Sequence, residues 1–138
     1  MLEITKELET GIPIVDAQHR ELVAAVNDLI NLGEKAKDPE IMRETLDFLA
    51  KYCVMHFNVE EDMMNQCVYP ACYLHENQHR LFVDKFVEYK ERFETEGYSD
   101  ELVMGLNHFL VNWIINHIKV SDVAFGTYYL EKFQEFKE

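Results

Sequence analysis

Four stretches of this chain carry apolar residues at steps of three and four, and each stripe is interrupted near one end by a residue that could hold a metal. From His19 the stripe runs through Leu22, Val23, Val26, Leu29, Ile30 and Gly33. A second runs through Ile41, Phe48, Leu49, Tyr52, His56, Val59, Glu60 and Met63. A third takes His75, His79, Phe82, Phe86 and Phe93, and a fourth takes Leu102, Leu106, Phe109, Leu110, Trp113, Ile114 and His117. A 3.6-residue period of this kind makes an amphipathic helix, and the stripe is the face that turns inward. The histidines and Glu60 therefore point into the core rather than into water.

The breaks between the stripes are short. Gly11-Ile12-Pro13 stops any early helix, Asp38-Pro39 offers a cap and a first helical residue, Tyr69-Pro70 ends the second helix, and Ser99 caps the fourth after Glu96-Gly97-Tyr98. Asp16 is the expected cap of the first helix. The expected organisation is one domain over residues 1–138. It has an arm at 1–15, helices at about 16–36, 39–67, 71–95 and 99–118, and a short amphipathic helix at about 123–137 with Tyr128, Tyr129, Leu130, Phe133 and Phe136. Short connections make consecutive helices antiparallel, so the fold class is all-α, an up-down-up-down four-helix bundle. In that topology the starts of odd helices and the ends of even ones lie at the same end. His19, His56, Glu60, His75, His79, His117 and Asp122 then fall in one layer.

The chemistry of that layer is specific. It contains no thiolate, which argues against an iron–sulfur cluster or a structural zinc site. Imidazole mixed with carboxylate suits iron, manganese, copper or zinc. His75 and His79, four apart, sit about 40° apart around a helix and about one turn up, so both can grip one ion. That spacing alone also occurs on ordinary helix surfaces; the other three fragments set this one apart. Seven donors are too many for one tetrahedral ion. If Glu60 and Asp122 bridge two six-coordinate ions together with an oxide or hydroxide, the donors fill all but one position. His117 and Asp122 are five apart, about 140° round an ideal helix, so an irregularity is expected around Lys119–Ser121. Glu61 points about 100° from Glu60 and is solvated or supports a ligand from outside. His108 lies nine residues before His117, on the opposite side of the fourth helix, and fits no ligand position. Cys53, one turn before His56, reads as a small buried apolar residue.

Composition narrows the partners. The formal net charge is -13, with 26 acidic and 13 basic residues, which disfavours nucleic acid and anionic lipid. The start, Met1-Leu2-Glu3-Ile4-Thr5-Lys6, lacks the pattern of a signal peptide, and no segment is apolar enough to span a bilayer. Three cysteines, Cys53, Cys67 and Cys72, fit free thiols and a cytoplasmic setting better than a disulfide framework. Cys67 and Cys72 flank a turn and could pair only under oxidation.

The fragments Gly11-Ile12 with Asp16-Ala17-Gln18-His19, His56-Phe57-Asn58-Val59-Glu60-Glu61, His75-x3-His79, and Trp113-Ile114-x2-His117-Ile118-x3-Asp122 resemble the hemerythrin family, specifically its single-domain bacterial members. Their order and spacing cover most of the chain. The resemblance implies a non-haem di-iron protein, with iron cycling between Fe2+ and Fe3+ under a bridging oxide or hydroxide. It implies reversible dioxygen binding for storage, transport and delivery, or scavenging. By the same likeness His75, His79 and His117 hold one iron, His19 and His56 hold the other with its open position, and Glu60 and Asp122 bridge. Trp113 and Ile114 would line the dioxygen pocket. The chain departs from the family at Ile4, where a tryptophan is frequent, and at Ile114, where leucine is usual. The implied protein is a carrier rather than an enzyme. The alternatives are a sensor of dioxygen, redox state or nitric oxide, or a di-iron reductase using the same site. Small anions are further candidate ligands of the oxidised form.

Overall fold

In the computed structural model, the backbone is described over residues 2–35 and 38–137, and the side chains of those residues except 32–35 and 134–137. The side-chain readings of Gly33 and Phe136 lie outside the described residues. A single 3-10 turn, Lys6–Leu8, precedes helices α1 (Pro13–Lys35), α2 (Pro39–Gln66), α3 (Cys72–Glu96) and α4 (Asp100–Asn116). A π-helical turn, His117–Asp122, leads without a break into α5 (Val123–Lys137). The four long helices form an antiparallel bundle in which each packs on the next and α1 closes the ring against α4.

Local chemistry sets most boundaries. Asp38 accepts from the Glu40 and Ile41 backbone N–H groups at 2.9 and 3.4 Å, with Pro39 opening α2 where a missing N–H costs nothing. Ser99 Oγ accepts from Leu102 N–H at 3.1 Å to cap α4. Gly97, at φ +77, ends α3 with its N–H on the Phe93 carbonyl, a conformation that favours glycine. At the end of α2 a positive-φ residue, Val68 at φ 54, turns the chain, and Tyr69 N–H closes back onto the Met64 carbonyl.

Two expectations fail locally. Asp16 does not cap α1, which begins three residues earlier at Pro13. Its buried carboxylate reaches backwards instead, accepting from Thr10 N–H and Thr10 Oγ at 2.8 and 2.7 Å and from Gly11 N–H at 3.1 Å, and so fastens the arm to the helix. The inner face of α2 is also rotated from the expected one. Ile41 and Phe48 are exposed, at 41% and 51%, while Met42, Leu46, Cys53, Phe57 and Met64 are buried beside Leu49, His56 and Glu60. Ile41 and Phe48 are seven apart, so a stripe drawn through both was self-consistent yet out of phase by one residue.

The main core runs along the bundle from Leu29, Met42 and Phe93 to Ile114 and Ile118. A smaller cluster of Ile12, Val15, Met64, Cys67 and Phe125 closes the end at which α5 folds back. There Gly126 lets α5 lie against the arm: a Cβ at this position would sit 2.3 Å from the Thr10 carbonyl oxygen. Among the described residues no helix is long and apolar enough to cross a membrane.

Candidate metal centre

All seven side chains singled out from the sequence meet at the end of the bundle closed by α5, each no more than 6% exposed. His19 comes from the second turn of α1, His56 and Glu60 from α2, His75 and His79 from the first two turns of α3, His117 from the end of α4, and Asp122 from the far end of the π turn. The π turn solves the spacing problem. An i→i+5 ladder brings residues five apart back to one face, and His117 Nε2 lies 3.0 Å from Asp122 Oδ1.

The ligand-type atoms form two overlapping groups, each with its atoms within 4.8 Å of one another: Glu60, His75, His79, His117 and Asp122 in one, His19, His56, Glu60 and Asp122 in the other. Glu60 and Asp122 belong to both. The Glu60 carboxylate lies 3.2 to 3.5 Å from Nε2 of His19, His56, His75 and His79. Asp122 lies 2.9 Å from Nε2 of both His19 and His75.

These approaches are close but not aligned as hydrogen bonds. Both oxygens of Glu60, both of Asp122, and Nε2 of His19 and His75 are buried without a hydrogen-bond partner. The outer ring nitrogens fix the tautomer of the other three histidines. His56 Nδ1 faces Gln18 Oε1 at 2.7 Å, His79 Nδ1 faces Glu61 Oε2 at 3.1 Å, and His117 Nδ1 faces Gln78 Oε1 at 2.9 Å. Each acceptor requires the proton on Nδ1, which leaves a bare lone pair on Nε2. His79 and His117 then point lone pairs at each other across 3.1 Å. Converging lone pairs and carboxylate oxygens repel one another in a dry interior; a cation between them removes the conflict. The donor set, imidazole and carboxylate without thiolate, fits iron and its first-row neighbours.

The titration behaviour of the metal-free residues agrees. Burial opposes a charge on His19 and His75, yet the adjacent Asp122 and Glu60 carboxylates outweigh it and raise both to about 9. Burial likewise opposes ionisation of Glu60, but four neighbouring imidazoles hold its carboxyl well below the usual range. Asp122 is held low by His117 and His19 against burial and the charge of Glu60. His117 alone is pushed down, by burial and by the adjacent His79 and His75. Protons thus stand in where a cation would sit.

Comparison with known sequences agrees with the geometry. Residues 10–127 match the family described as "Hemerythrin HHE cation binding domain". The chain belongs to the hemerythrin family. It is 32% identical over 121 residues to a bacteriohemerythrin of Stenotrophomonas maltophilia, an alignment covering 87% of this chain and 76% of that one. A hemerythrin-like protein of Naegleria gruberi is 30% identical over 111 residues, covering 80% and 79%. A wild-type hemerythrin crystal structure superposes with a TM-score of 0.80 at 24% identity, covering 94% of this chain and 97% of that one, and so shares the fold.

Within this hemerythrin domain a small, largely apolar space borders the group that has two histidines. Its walls are His19, His56, His117 and Asp122 on one side and Leu22, Cys53, Phe57, Phe82, Trp113, Ile114 and Ile118 on the other. Its volume is about 10 Å³, at the lower limit for a single water. Trp113 stacks on His117 with ring centroids 4.3 Å apart and planes at 14°. Cys53 is buried as expected, and its thiol is pushed up to about 12 by that burial. His108 is exposed and stands apart from the centre.

Three contributors, Phe57, Gln18 and Gln78, were not identified from sequence. Phe57 stacks on His79 at 3.9 Å and 8°. Gln18, Glu61 and Gln78 form a pattern that could have been read: each is the direct sequence neighbour of a central residue, and each reaches across to a histidine of the next helix. Gln18 of α1 holds His56 of α2, Glu61 of α2 holds His79 of α3, and Gln78 of α3 holds His117 of α4. For Glu61 this decides between the two sequence readings in favour of support from outside.

Proposed function

We propose that this chain is a non-haem di-iron protein that binds dioxygen reversibly, for storage, delivery or scavenging. In this reading His75, His79 and His117 hold one iron, His19 and His56 hold the other, and Glu60 and Asp122 bridge. The observation that carries it is the membership of Glu60 and Asp122 in both groups of converging donors, because a shared pair of carboxylates is what two adjacent ions require. When bound in reduced form, the iron pair supplies the electrons that hold dioxygen.

The chain's own residues shape the rest. One group has three histidines and the other two, so the open position falls on the side of His19 and His56. That side faces the small apolar space, whose size admits a diatomic molecule and little else. Ile114, Phe57, Phe82 and Trp113 keep bulk water and larger reductants from the centre. Apart from the ligands, the one titratable side chain lining that space is Cys53, whose thiol burial keeps protonated, which favours a carrier over an enzyme. Three free thiols, Cys53, Cys67 and Cys72, support a reducing, cytoplasmic setting.

Iron analysis should give two irons per chain. Adding dioxygen to the anaerobic reduced protein should produce charge-transfer bands that vanish on deoxygenation. Protein that holds two irons but shows no reversible bands overturns dioxygen binding, and steady turnover with an electron donor would identify a reductase instead.

A further inference from the structure

We propose that Glu61 is a positioning residue that strengthens electron donation from His79 and so lowers the reduction potential of the metal centre. The inference rests on the di-iron reading above. Its basis is an asymmetry among the outer contacts. Three histidines present Nδ1–H to an oxygen, but the acceptors differ: an amide carbonyl of Gln18 for His56, an amide carbonyl of Gln78 for His117, and a carboxylate of Glu61 for His79. His19 Nδ1 is buried with no partner at all.

A hydrogen bond to a carboxylate is roughly twice as strong as one to a neutral acceptor. It draws the Nδ1 proton outward and leaves more negative charge on Nε2, the atom that faces the centre. A more basic ligand stabilises the higher oxidation state of the ion it touches. Glu61 is only 27% exposed, so its charge is screened incompletely. Phe57, stacked 3.9 Å over the His79 ring, fixes the ring plane and covers one face from solvent. The ring is thus held in position by Phe57, while Glu61 adds charge. The amide partners of His56 and His117 cannot add it.

The centre then carries one strengthened imidazole in its three-histidine group. The oxidised pair is favoured, dioxygen is held more tightly, and spontaneous oxidation of the reduced protein is faster than a neutral partner would allow.

The test uses the iron-loaded full chain and measures midpoint potential by spectroelectrochemistry together with iron per chain. Glu61→Gln keeps an oxygen acceptor and removes the charge; at a fixed applied potential the ratio of oxidised to reduced protein should fall about tenfold, on the scale of the smallest losses in metal affinity that follow removal of an outer partner. Gln78→Glu adds a carboxylate where Gln78 Oε1 already accepts from His117 and from Ser121 Oγ at 2.6 Å, and should shift the ratio the other way. A potential unchanged in Glu61→Gln with two irons bound overturns the proposal, since a purely structural hydrogen bond survives that substitution. Should Glu61→Gln lose iron, Gln78→Glu decides alone: a lower potential supports the proposal and an unchanged one overturns it. Wild-type protein that takes up no iron would overturn the di-iron reading itself, a distinct result.

Discussion

The two ends of the bundle solve the problem of a buried interior in opposite ways. At the end far from α5, Val26, Leu29, Met42, Leu46, Phe86, Phe93, Leu102 and Val103 meet as hydrocarbon on hydrocarbon. At the other end His19, His56, Glu60, His75, His79, His117 and Asp122 occupy equivalent inward positions, with unpartnered atoms among them. The apolar end is stable by burial alone. The polar end leaves buried groups whose satisfaction depends on something the chain does not itself supply. One end is a scaffold, and the other is a site that the scaffold holds open.

The largest effect expected from this contrast is on metal removal. An ion bound a thousandfold above its dissociation constant stabilises by about 4 kcal/mol, and the proposed centre holds two. Chelation should therefore lower the melting temperature more than any single substitution discussed below. Hydrogen exchange should locate the loss: amides near His19, His56 and His117 lose protection, while those near Leu29 and Phe93 keep most of theirs. Equal loss at both ends would break the comparison. The metal-free chain should also carry a distinctive pH dependence. His19 and His75 are raised to about 9 in the fold from 6.5, so their contribution is complete below pH 6.5 and lost as pH rises through 9. The depressed carboxyls of Glu60 and Asp122 act oppositely, contributing above about pH 4 and failing as the medium becomes more acid. Chelated protein should thus melt at progressively lower temperature from pH 6.5 to 9. Iron-loaded protein should not, because ligand deprotonation aids metal binding.

Leu29→Ala probes the scaffold end. Leu29 is fully buried, ten residues and about 15 Å along α1 from His19. Truncation should cost about 2–5 kcal/mol, read by denaturant unfolding, with two irons per chain retained. Lost iron would mean that the ends are coupled more tightly than their chemistry suggests.

Gly126→Ala tests the clasp between α5 and the arm. The new Cβ would meet the Thr10 carbonyl oxygen at 2.3 Å and the Thr10 Cβ at 2.9 Å. Backbone must shift, at a cost of about 1–3 kcal/mol. Asp122 lies four residues earlier, so iron affinity should weaken here, unlike in Leu29→Ala.

The same contrast explains what the sequence made legible. Position along a helix is a one-dimensional property, and the layer holding the candidate ligands followed from stripe order and short connections. The five-residue gap between His117 and Asp122 announced a distortion, found as the π turn. Rotation about a helix is harder to read. In α2 the exposed apolar residues Ile41, Phe48 and Met55 lie across the axis from Met42, Leu46, Cys53 and Phe57, so apolar side chains occur on both sides, and only contact with α1 and α3 decides that Phe57 goes in and Phe48 stays out. Asp16 had the chemistry of a cap, but Thr10 and Gly11 offered donors that sequence distance hid. Gln18 and Gln78 look like ordinary surface residues until the neighbouring helix is present, whereas Glu61 could be read only as far as a choice between solvent and support of a ligand.

The smallest effect is expected at His108, the remaining histidine. It lies on α4, exposed, half a turn away from the face that carries His117. Were the number of histidines what mattered for metal uptake, His108→Ala would reduce it. Placement predicts otherwise: stability within about 0.5 kcal/mol of wild type and unchanged iron per chain, checked by thermal melting and metal analysis. His19→Ala, removing the same chemical group from the buried layer, should lose iron. The pair of substitutions separates composition from geometry, because the side chains are identical and only their direction relative to the bundle axis differs.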